Sequence, residues 1–228
     1  MGTDAALPRI PPPEQRLADR LTAQQMPAPM SARAKAVAVL GELGQVDLAV
    51  YRAIAGTPAP TLDRPVRRLS AAANWSGLWI AIGAAMAIAG GRVGRRAAGA
   101  GLVALAVDSA VVNIGLKVVA RRRRPDRDSA GVPRVRRAPM PASASFPSGH
   151  TASGFAFANA VAHTLPAAAA PLGLLACAVG YSRIHTGVHY PGDVVIGAVI
   201  GTAVGEAVGW GMRRLHTIPQ FPLARRAS

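Results

Sequence analysis

The chain has 228 residues, of which 50% are hydrophobic and 16% are charged, and its formal net charge is +15. Ordinary soluble domains contain about 25% charged residues, so this composition argues against a soluble globular domain and favours a polytopic membrane protein. Basic residues are not interleaved with aromatics and form no recognition-helix pattern, so we expect no nucleic-acid partner. The single Cys177 excludes a disulfide framework, and its apolar surroundings predict a small buried side chain.

The N-terminal third is polar or amphipathic. Residues 1–30 are rich in proline and lack the apolar core of a signal peptide, which predicts a disordered arm. Charged residues interrupt the two helical patterns that follow, about Ala34–Ile54 and Pro60–Ala73, so these are expected on the membrane surface or against the bundle. We therefore divide the chain into an arm (1–30), an amphipathic segment (31–74), a membrane core (75–214) and a basic tail (215–228).

Five apolar runs follow that reach or approach the roughly 17–25 residues needed to cross a bilayer. They are Trp75–Gly91, Ala97–Ala120, His150–Leu165, Ala167–Tyr181 and Pro191–Met212. If Ala34–Ile54 also crosses, the total is six. The sequence thus predicts an all-α transmembrane bundle of five or six helices, an integral multi-pass protein of the cell membrane with its active site at one membrane face. Trp75 and Trp79 are expected at the interface, where aromatics are favoured.

The last run carries a stripe of small residues, with glycine at every fourth position: Gly197, Gly201, Gly205 and Gly209. Such a stripe allows a second helix to approach closely. The partner is a helix of the same bundle or of a second copy, so the oligomeric state stays open.

The first polar motif is Lys117-x6-Arg124-Pro125. If the helix continues, Lys117 and Arg124 lie two turns apart on one face, with Asn113 one turn before Lys117 as a supporting residue. Buried charges need partners, so packing explains two cations at a helix end poorly. Residues Arg121–Arg123 have an alternative role, as a juxtamembrane cluster attracted to anionic lipid.

The second motif is Pro147-Ser148-Gly149-His150, where Ser148 is a natural helix N-cap and the helix start can bind an anion. The third is Ser182-Arg183-x5-His189-x3-Asp193. Its spacing allows Asp193 to accept a hydrogen bond from His189 Nδ1, leaving Nε2 free to attack. His185 is expected to be structural or supporting. Alternating the spans across the bilayer places all three motifs on one side.

Together the motifs resemble the signature of the type 2 phosphatidic-acid phosphatase superfamily, which includes bacterial acid phosphatases and vanadium haloperoxidases. The resemblance implies that His189 is a nucleophile forming a phosphohistidine, that Asp193 orients it, and that His150 protonates the leaving group and then activates water. It implies that the phosphoryl oxygens are held without a metal or cofactor by Lys117, Arg124, Ser148, Gly149 and Arg183.

The favoured function is hydrolysis of a membrane lipid phosphate monoester or pyrophosphate, either phosphatidate-like or polyprenyl-phosphate-like. Two alternatives are a vanadate-dependent haloperoxidase and a catalytically silent lipid-binding protein. The family resemblance suggests an active site on the extracytoplasmic side, although the eight arginines between Arg121 and Arg137 favour the cytoplasmic side by the positive-inside rule.

Overall fold

The computed structural model describes residues 31–217, with side chains described as far as Leu215. The predicted disordered arm and most of the predicted basic tail lie outside the described residues. The chain divides into two compact units, Met1–Gly44 and Gln45–Ser228. The described part of the first unit is helical, and every contact discussed below lies within the second unit.

Seven longer helices follow one another in the described range, joined by short 3-10 turns and one long loop. They are α1 (Ala32–Gly56), α2 (Pro60–Ala72), α3 (Gly77–Ala89), α4 (Gly91–Ser109), α5 (Gly149–Ala162), α6 (Ala169–His185) and α7 (Pro191–Thr217). The α4 helix continues through a π-helical stretch, Ala110–Leu116, into a final α turn, Lys117–Ala120. π-Helical insertions are frequent at functional sites because they rephase the side chains that follow.

Between residues 31 and 217, three helical segments are long and apolar enough to cross a membrane: Gly91–Ala120, Pro166–His185 and Pro191–Leu215. The α2 and α3 segments form a pair bent by 65°, which counts as a fourth span if it crosses as one unit. The central α5 has only 14 residues and packs against α4, α6 and α7. The prediction of an all-α transmembrane bundle is confirmed, although α2 continues into the first apolar run instead of standing apart from it.

Two predictions about single side chains are wrong. Trp79 is not an interfacial anchor, since it is fully buried and its ring packs 5.6 Å from that of Phe157. Trp75, by contrast, is 95% exposed, because positive φ values at Trp75 and Ser76 bend the chain between α2 and α3. Cys177 lies on the outer face of α6 and is exposed, so it does not fill the core.

The glycine stripe of α7 packs within the bundle. A β-carbon on Gly197, Gly201 or Gly205 would collide with the α5 backbone at Ser148, Ala152 or Ala156. The two helices therefore contact each other backbone to backbone along this stripe. The close approach holds the start of α5 against the start of α7, which carry the second motif and the end of the third.

We expect Gly201→Ala to lower the free energy of unfolding by about 1–3 kcal/mol, the usual cost of overpacking. The atoms that the added carbon would meet belong to the backbone and cannot rotate away. Gly211→Ala is the matched control on the same helix, with nothing within 4 Å of the added carbon. Replacing an open helical glycine should be neutral or stabilising by up to about 1 kcal/mol. Thermal unfolding of both variants in detergent measures the difference, and equal melting temperatures would contradict the packing.

The long loop after α4 is tied to the bundle by a buried arginine. Arg136 is 1% exposed, and its Nε donates to Asp63 Oδ1 at 2.6 Å. Its terminal nitrogens donate to backbone carbonyls at the end of α1 and just after it, at Ile54, Ala55 and Thr57. His185 Nε2 lies 3.1 Å from the same Asp63 oxygen, which fits the structural role expected for this histidine.

Candidate active site

Four of the predicted site residues line a single cavity of about 550 Å3: Lys117, Arg124, His150 and His189. Asn74 and Ser143 add two neutral polar side chains to the lining. The rest of the lining is apolar and comes from Trp75, Pro139, Met140, Pro141 and Ala142. The cavity, called the main cavity below, thus combines two cations and two imidazoles with an apolar wall.

Lys117 and Arg124 reach the main cavity from different elements. The helix ends at Ala120, as predicted, and Arg121 has a φ of 33°. The helix therefore does not continue to Arg124, and the condition that would place both cations on one helix face is not met. Lys117 Nζ donates to Asn113 Oδ1 at 3.0 Å, the support that the spacing suggested. Arg124 lies in the loop, where backbone carbonyls at Ser143, Ala144 and Val188 hold its guanidinium.

His189 lies in the short turn between α6 and α7 and is 2% exposed. Its Nδ1 is 3.4 Å from Asp193 Oδ2, and its Nε2 is 3.3 Å from an Arg124 Nη1 atom. Burial lowers the pKa of His189, Asp193 opposes this effect, and the positive charges of Arg124 and Arg183 add to it, so that the pKa is about 4. The imidazole is therefore neutral at pH 7, with Nδ1–H facing the carboxylate and the Nε2 lone pair facing the main cavity.

Asp193 is fully buried, and its carboxylate has three partners besides His189. Arg122 donates to Oδ1 at 2.7 Å, Tyr190 N–H donates to Oδ2 at 3.0 Å, and the Ser145 hydroxyl donates to Oδ2. A buried carboxylate needs such compensation because its transfer from water costs several kcal/mol. These contacts hold the orienting carboxylate in place beside His189.

Arg122 links Asp193 to a second carboxylate. Its other terminal nitrogen donates to Asp47 Oδ2 at 2.6 Å, and Asp47 Oδ1 accepts from Gly192 N–H at 2.6 Å. The guanidinium also lies 4.2 Å from the centre of the Tyr190 ring. This group, Asp47, Arg122, Tyr190, Gly192 and Asp193, is called the Arg122 bridge, and it connects α1, the loop and the start of α7.

His150 is in the first turn of α5, and its Nε2 lies 2.9 Å from Asn74 Oδ1. An amide oxygen accepts, so this contact places a proton on His150 Nε2. Asn74 lies at the bend between α2 and α3, and both residues line the main cavity. His150 therefore borders the main cavity with its Nε2–H directed at the Asn74 amide oxygen.

Three predicted phosphate-binding residues surround the main cavity without lining it. Ser148 is the N-cap residue of α5, but its hydroxyl pairs with the Thr151 hydroxyl at 2.9 Å and it is fully buried. Gly149 borders an adjoining cavity. Arg183 is 2% exposed and donates to the Ser70 hydroxyl at 2.6 Å, while its Nε has no partner among the described residues.

Sequence reasoning missed four residues of this site: Asp47, Asn74, Arg122 and Ser145. Arg122 stood inside a run of arginines for which a lipid-binding cluster was the alternative. Asp47 and Asn74 belong to helical segments that the motif does not reach. A signal existed for Asn74, a polar amide directly before an apolar run, but nothing in its spacing pointed to His150.

The chain is similar to known proteins in sequence and in fold. The family model of the PAP2 superfamily matches residues 97–216. A decaprenylphosphoryl-5-phosphoribose phosphatase of Mycolicibacterium smegmatis is 39% identical over 154 residues, which cover 66% of this chain and 78% of that protein.

Two solved structures share the fold. A transmembrane PAP2-type phosphatidylglycerolphosphate phosphatase from Bacillus subtilis superposes with a TM-score of 0.60 at 24% identity, covering 79% of this chain and 89% of that one. LpxE of Aquifex aeolicus superposes with a TM-score of 0.57 at 28% identity, covering 72% and 94%. The match to the family model, the curated relative and the shared fold confirm the predicted resemblance: the chain belongs to the PAP2 superfamily and is a membrane phosphatase of the PAP2 type.

Proposed function

We propose that the protein hydrolyses a lipid phosphate monoester through a phosphohistidine formed on His189, without a metal ion. The observation that carries the proposal is the main cavity itself. It brings the neutral His189 imidazole, a second histidine and two cations to one small volume. A nucleophile, a proton donor and charge compensation are the groups that phosphoryl transfer needs.

In the first step, His189 Nε2 attacks phosphorus and the bond from phosphorus to the ester oxygen breaks. His150, which carries a proton on both ring nitrogens when the phosphate dianion is bound, gives one of them to the departing alkoxide, so the alcohol leaves neutral. The Nδ1–H of His189 faces Asp193, which stabilises the positive charge that the ring acquires as Nε2 bonds to phosphorus. The products are the lipid alcohol and a phosphorylated His189.

In the second step, the now neutral His150 takes a proton from water, and the resulting hydroxide attacks phosphorus. The nitrogen–phosphorus bond breaks, inorganic phosphate leaves, and His189 recovers its neutral form. Lys117 and Arg124, which line the main cavity, compensate the charge on the phosphoryl oxygens in both steps. The positive charge of Arg183 adds to theirs from behind the wall, and Ser148 and Gly149 form the helix start beside the cavity. Such fixed charges stabilise a phosphoryl transition state because they need no rearrangement during the reaction. Within the described residues no three His, Cys, Asp or Glu side chains group as metal ligands.

A lipid substrate follows from the position of the cavity. Its apolar wall at Pro139, Met140 and Pro141 adjoins helices that are long enough to cross the bilayer. The alcohol that leaves can therefore remain in the membrane while phosphate exits to water. Phosphatidate-like and polyprenyl-linked monoesters both fit this requirement, and the 39% identity to a decaprenylphosphoryl-5-phosphoribose phosphatase favours the polyprenyl-linked kind.

The test is phosphate release by the purified protein in detergent from phosphatidate, phosphatidylglycerol phosphate, a polyprenyl phosphate, a polyprenylphosphoryl-5-phosphoribose and an aryl phosphate. We expect release from at least one lipid, unchanged by chelator and inhibited by orthovanadate, which resembles the transition state of phosphoryl transfer. Loss of activity with chelator would overturn the metal-independent mechanism. Halide oxidation with vanadate and peroxide, without phosphate release, would identify a haloperoxidase instead.

A further inference from the structure

A second cavity adjoins the main cavity and has no role in the mechanism above. It has a volume of about 380 Å3 and shares Trp75, Lys117 and His150 with the main cavity. Its remaining polar side chains come from the bend before α3, at Ser76, and from the helical segments Gly91–Ala120 and α5, at Asp108, Ser109, Asn113 and Ser153. The volume lies in the range of small-molecule sites, about 300–1,000 Å3. We call it the Asp108 cavity.

Asp108 is the least explained group in this part of the molecule. The residue is fully buried, and its Oδ2 accepts a hydrogen bond from the Ser153 hydroxyl at 2.9 Å. Its Oδ1 has no partner among the described residues. A buried acceptor without a donor is costly, because it has lost its hydration without replacement. Asp108 lines the cavity, so a ligand hydroxyl that reaches Oδ1 would supply the missing donor.

The neighbours of Asp108 form a polar line that ends at the main cavity. Asn113 Nδ2 donates to the Ser109 hydroxyl at 3.1 Å, and Asn113 Oδ1 accepts from Lys117 Nζ at 3.0 Å. Hydroxyl, amide and carboxylate groups thus follow one wall of a membrane span, where apolar side chains would be expected. An acyl chain would leave Asp108 Oδ1 without a donor, and an anionic head group would be repelled by this carboxylate.

The ligand that matches this wall is neutral and carries several hydroxyl groups, each able to donate and accept. We propose that the Asp108 cavity binds the hydroxyl groups of a sugar-like leaving group, with Asp108 Oδ1 accepting from one of them. The inference rests on the proposed function, in which His150 protonates the leaving oxygen. Because His150 lines both cavities, a leaving group that begins at this histidine can extend directly into the Asp108 cavity.

The test crosses two substrates with two acid-to-amide variants. One substrate is a polyprenylphosphoryl-5-phosphoribose. In the other, a five-carbon linker without hydroxyl groups replaces the ribose between the polyprenyl phosphodiester and the terminal phosphate. We expect the wild-type kcat/KM to favour the sugar substrate by about tenfold or more, as for a hydrogen bond to a charged group. Asp108→Asn should reduce this preference to about twofold or less. Glu206→Gln, whose carboxylate contacts His163 at the far end of α5, should keep it.

The preference is a ratio measured on one protein sample, so a fall in overall activity does not imitate the expected result. An intact preference in Asp108→Asn, or no preference in the wild type, would overturn the inference even though both substrates are hydrolysed. If the wild type hydrolyses neither these substrates nor phosphatidate, the proposed function fails instead. Should Asp108→Asn fail to fold, Ser109→Ala replaces it, with an expected fall in the preference of about threefold from one lost neutral hydrogen bond. An unchanged preference in that variant would count against the inference.

Discussion

Replacing His189 with alanine should lower kcat/KM by about 10,000-fold or more, because the variant lacks the nitrogen that bonds to phosphorus. His189 is buried, faces Asp193 through Nδ1 and has Nε2 in the main cavity, so no neighbouring group can take its place. Phosphate release in detergent measures the loss. The control is His163→Ala, which removes a histidine that contacts Glu206 away from the cavities and should retain nearly full activity.

The role of His189 as nucleophile can also be tested independently, by detecting the phosphorylated protein. His150→Ala should accumulate labelled protein from an aryl phosphate, because a good leaving group departs without a proton donor while water still needs a base. The label should be stable in alkali and labile in acid, as expected for a nitrogen–phosphorus bond. It should be missing from the double variant that also lacks His189. Label that persists without His189 would place the nucleophile elsewhere.

The motif residues could be predicted to converge because their spacing and the helix lengths determine which ends of the spans meet. Lys117, His150 and His189 each follow or begin an apolar run, and the alternation of spans places these ends at one face. Close packing of another helix on α7 could be predicted for a similar reason, but not that this helix is α5. A glycine at every fourth position has few uses in a membrane helix other than close contact.

Which of the four consecutive arginines turn toward the site could not be predicted in the same way. Four consecutive arginines have no pattern that distinguishes a helix from an extended chain. In the structure, the positive φ at Arg121 ends the helix, and the extended chain turns Arg122 and Arg124 inward while Arg121 and Arg123 stay exposed. Only the structure of the loop decides which arginines serve the site.

Contacts between segments that are distant in the sequence could not be predicted either. Asp47 lies 75 residues before Arg122, and Asn74 lies 76 residues before His150. Each is a single polar residue on a helix whose partner is set by the packing of the whole bundle. The difference between Trp75 and Trp79 has a similar origin, since the bend between α2 and α3 turns one outward and the other into the core.

The Arg122 bridge leads to the second large expected effect. Arg122→Gln should lower kcat/KM by about 100-fold, the upper end of what removing an outer partner of a site residue usually costs. The substitution leaves the Asp193 Oδ1 atom without its charged donor and frees Asp47, which holds the Gly192 N–H at the start of α7. Asp193 then loses the fixed position from which it faces His189 Nδ1. Arg122 acts through Asp193, so it is a positioning residue.

A pH profile separates this positioning role from a general loss of stability. The hydrogen bond and the negative charge of Asp193 raise the pKa of His189 against the effect of burial, so an Asp193 that has lost its position should let that pKa fall further below about 4. The neutral, reactive form is present above that pKa and is lost as the pH falls through it. The acid limb of kcat/KM should therefore move to lower pH in Arg122→Gln.

Arg123→Gln provides the matched control, because it makes the same chemical change at the next residue, whose side chain is exposed. We expect its activity and its acid limb to match the wild type within about twofold, since surface substitutions usually have small effects. Arg122→Lys should restore part of the rate, because it returns the charge but not the two-nitrogen fork that joins Asp47 to Asp193. Equal losses in Arg122→Gln and Arg123→Gln would mean that the arginine run acts as a basic cluster and that the bridge does not position Asp193.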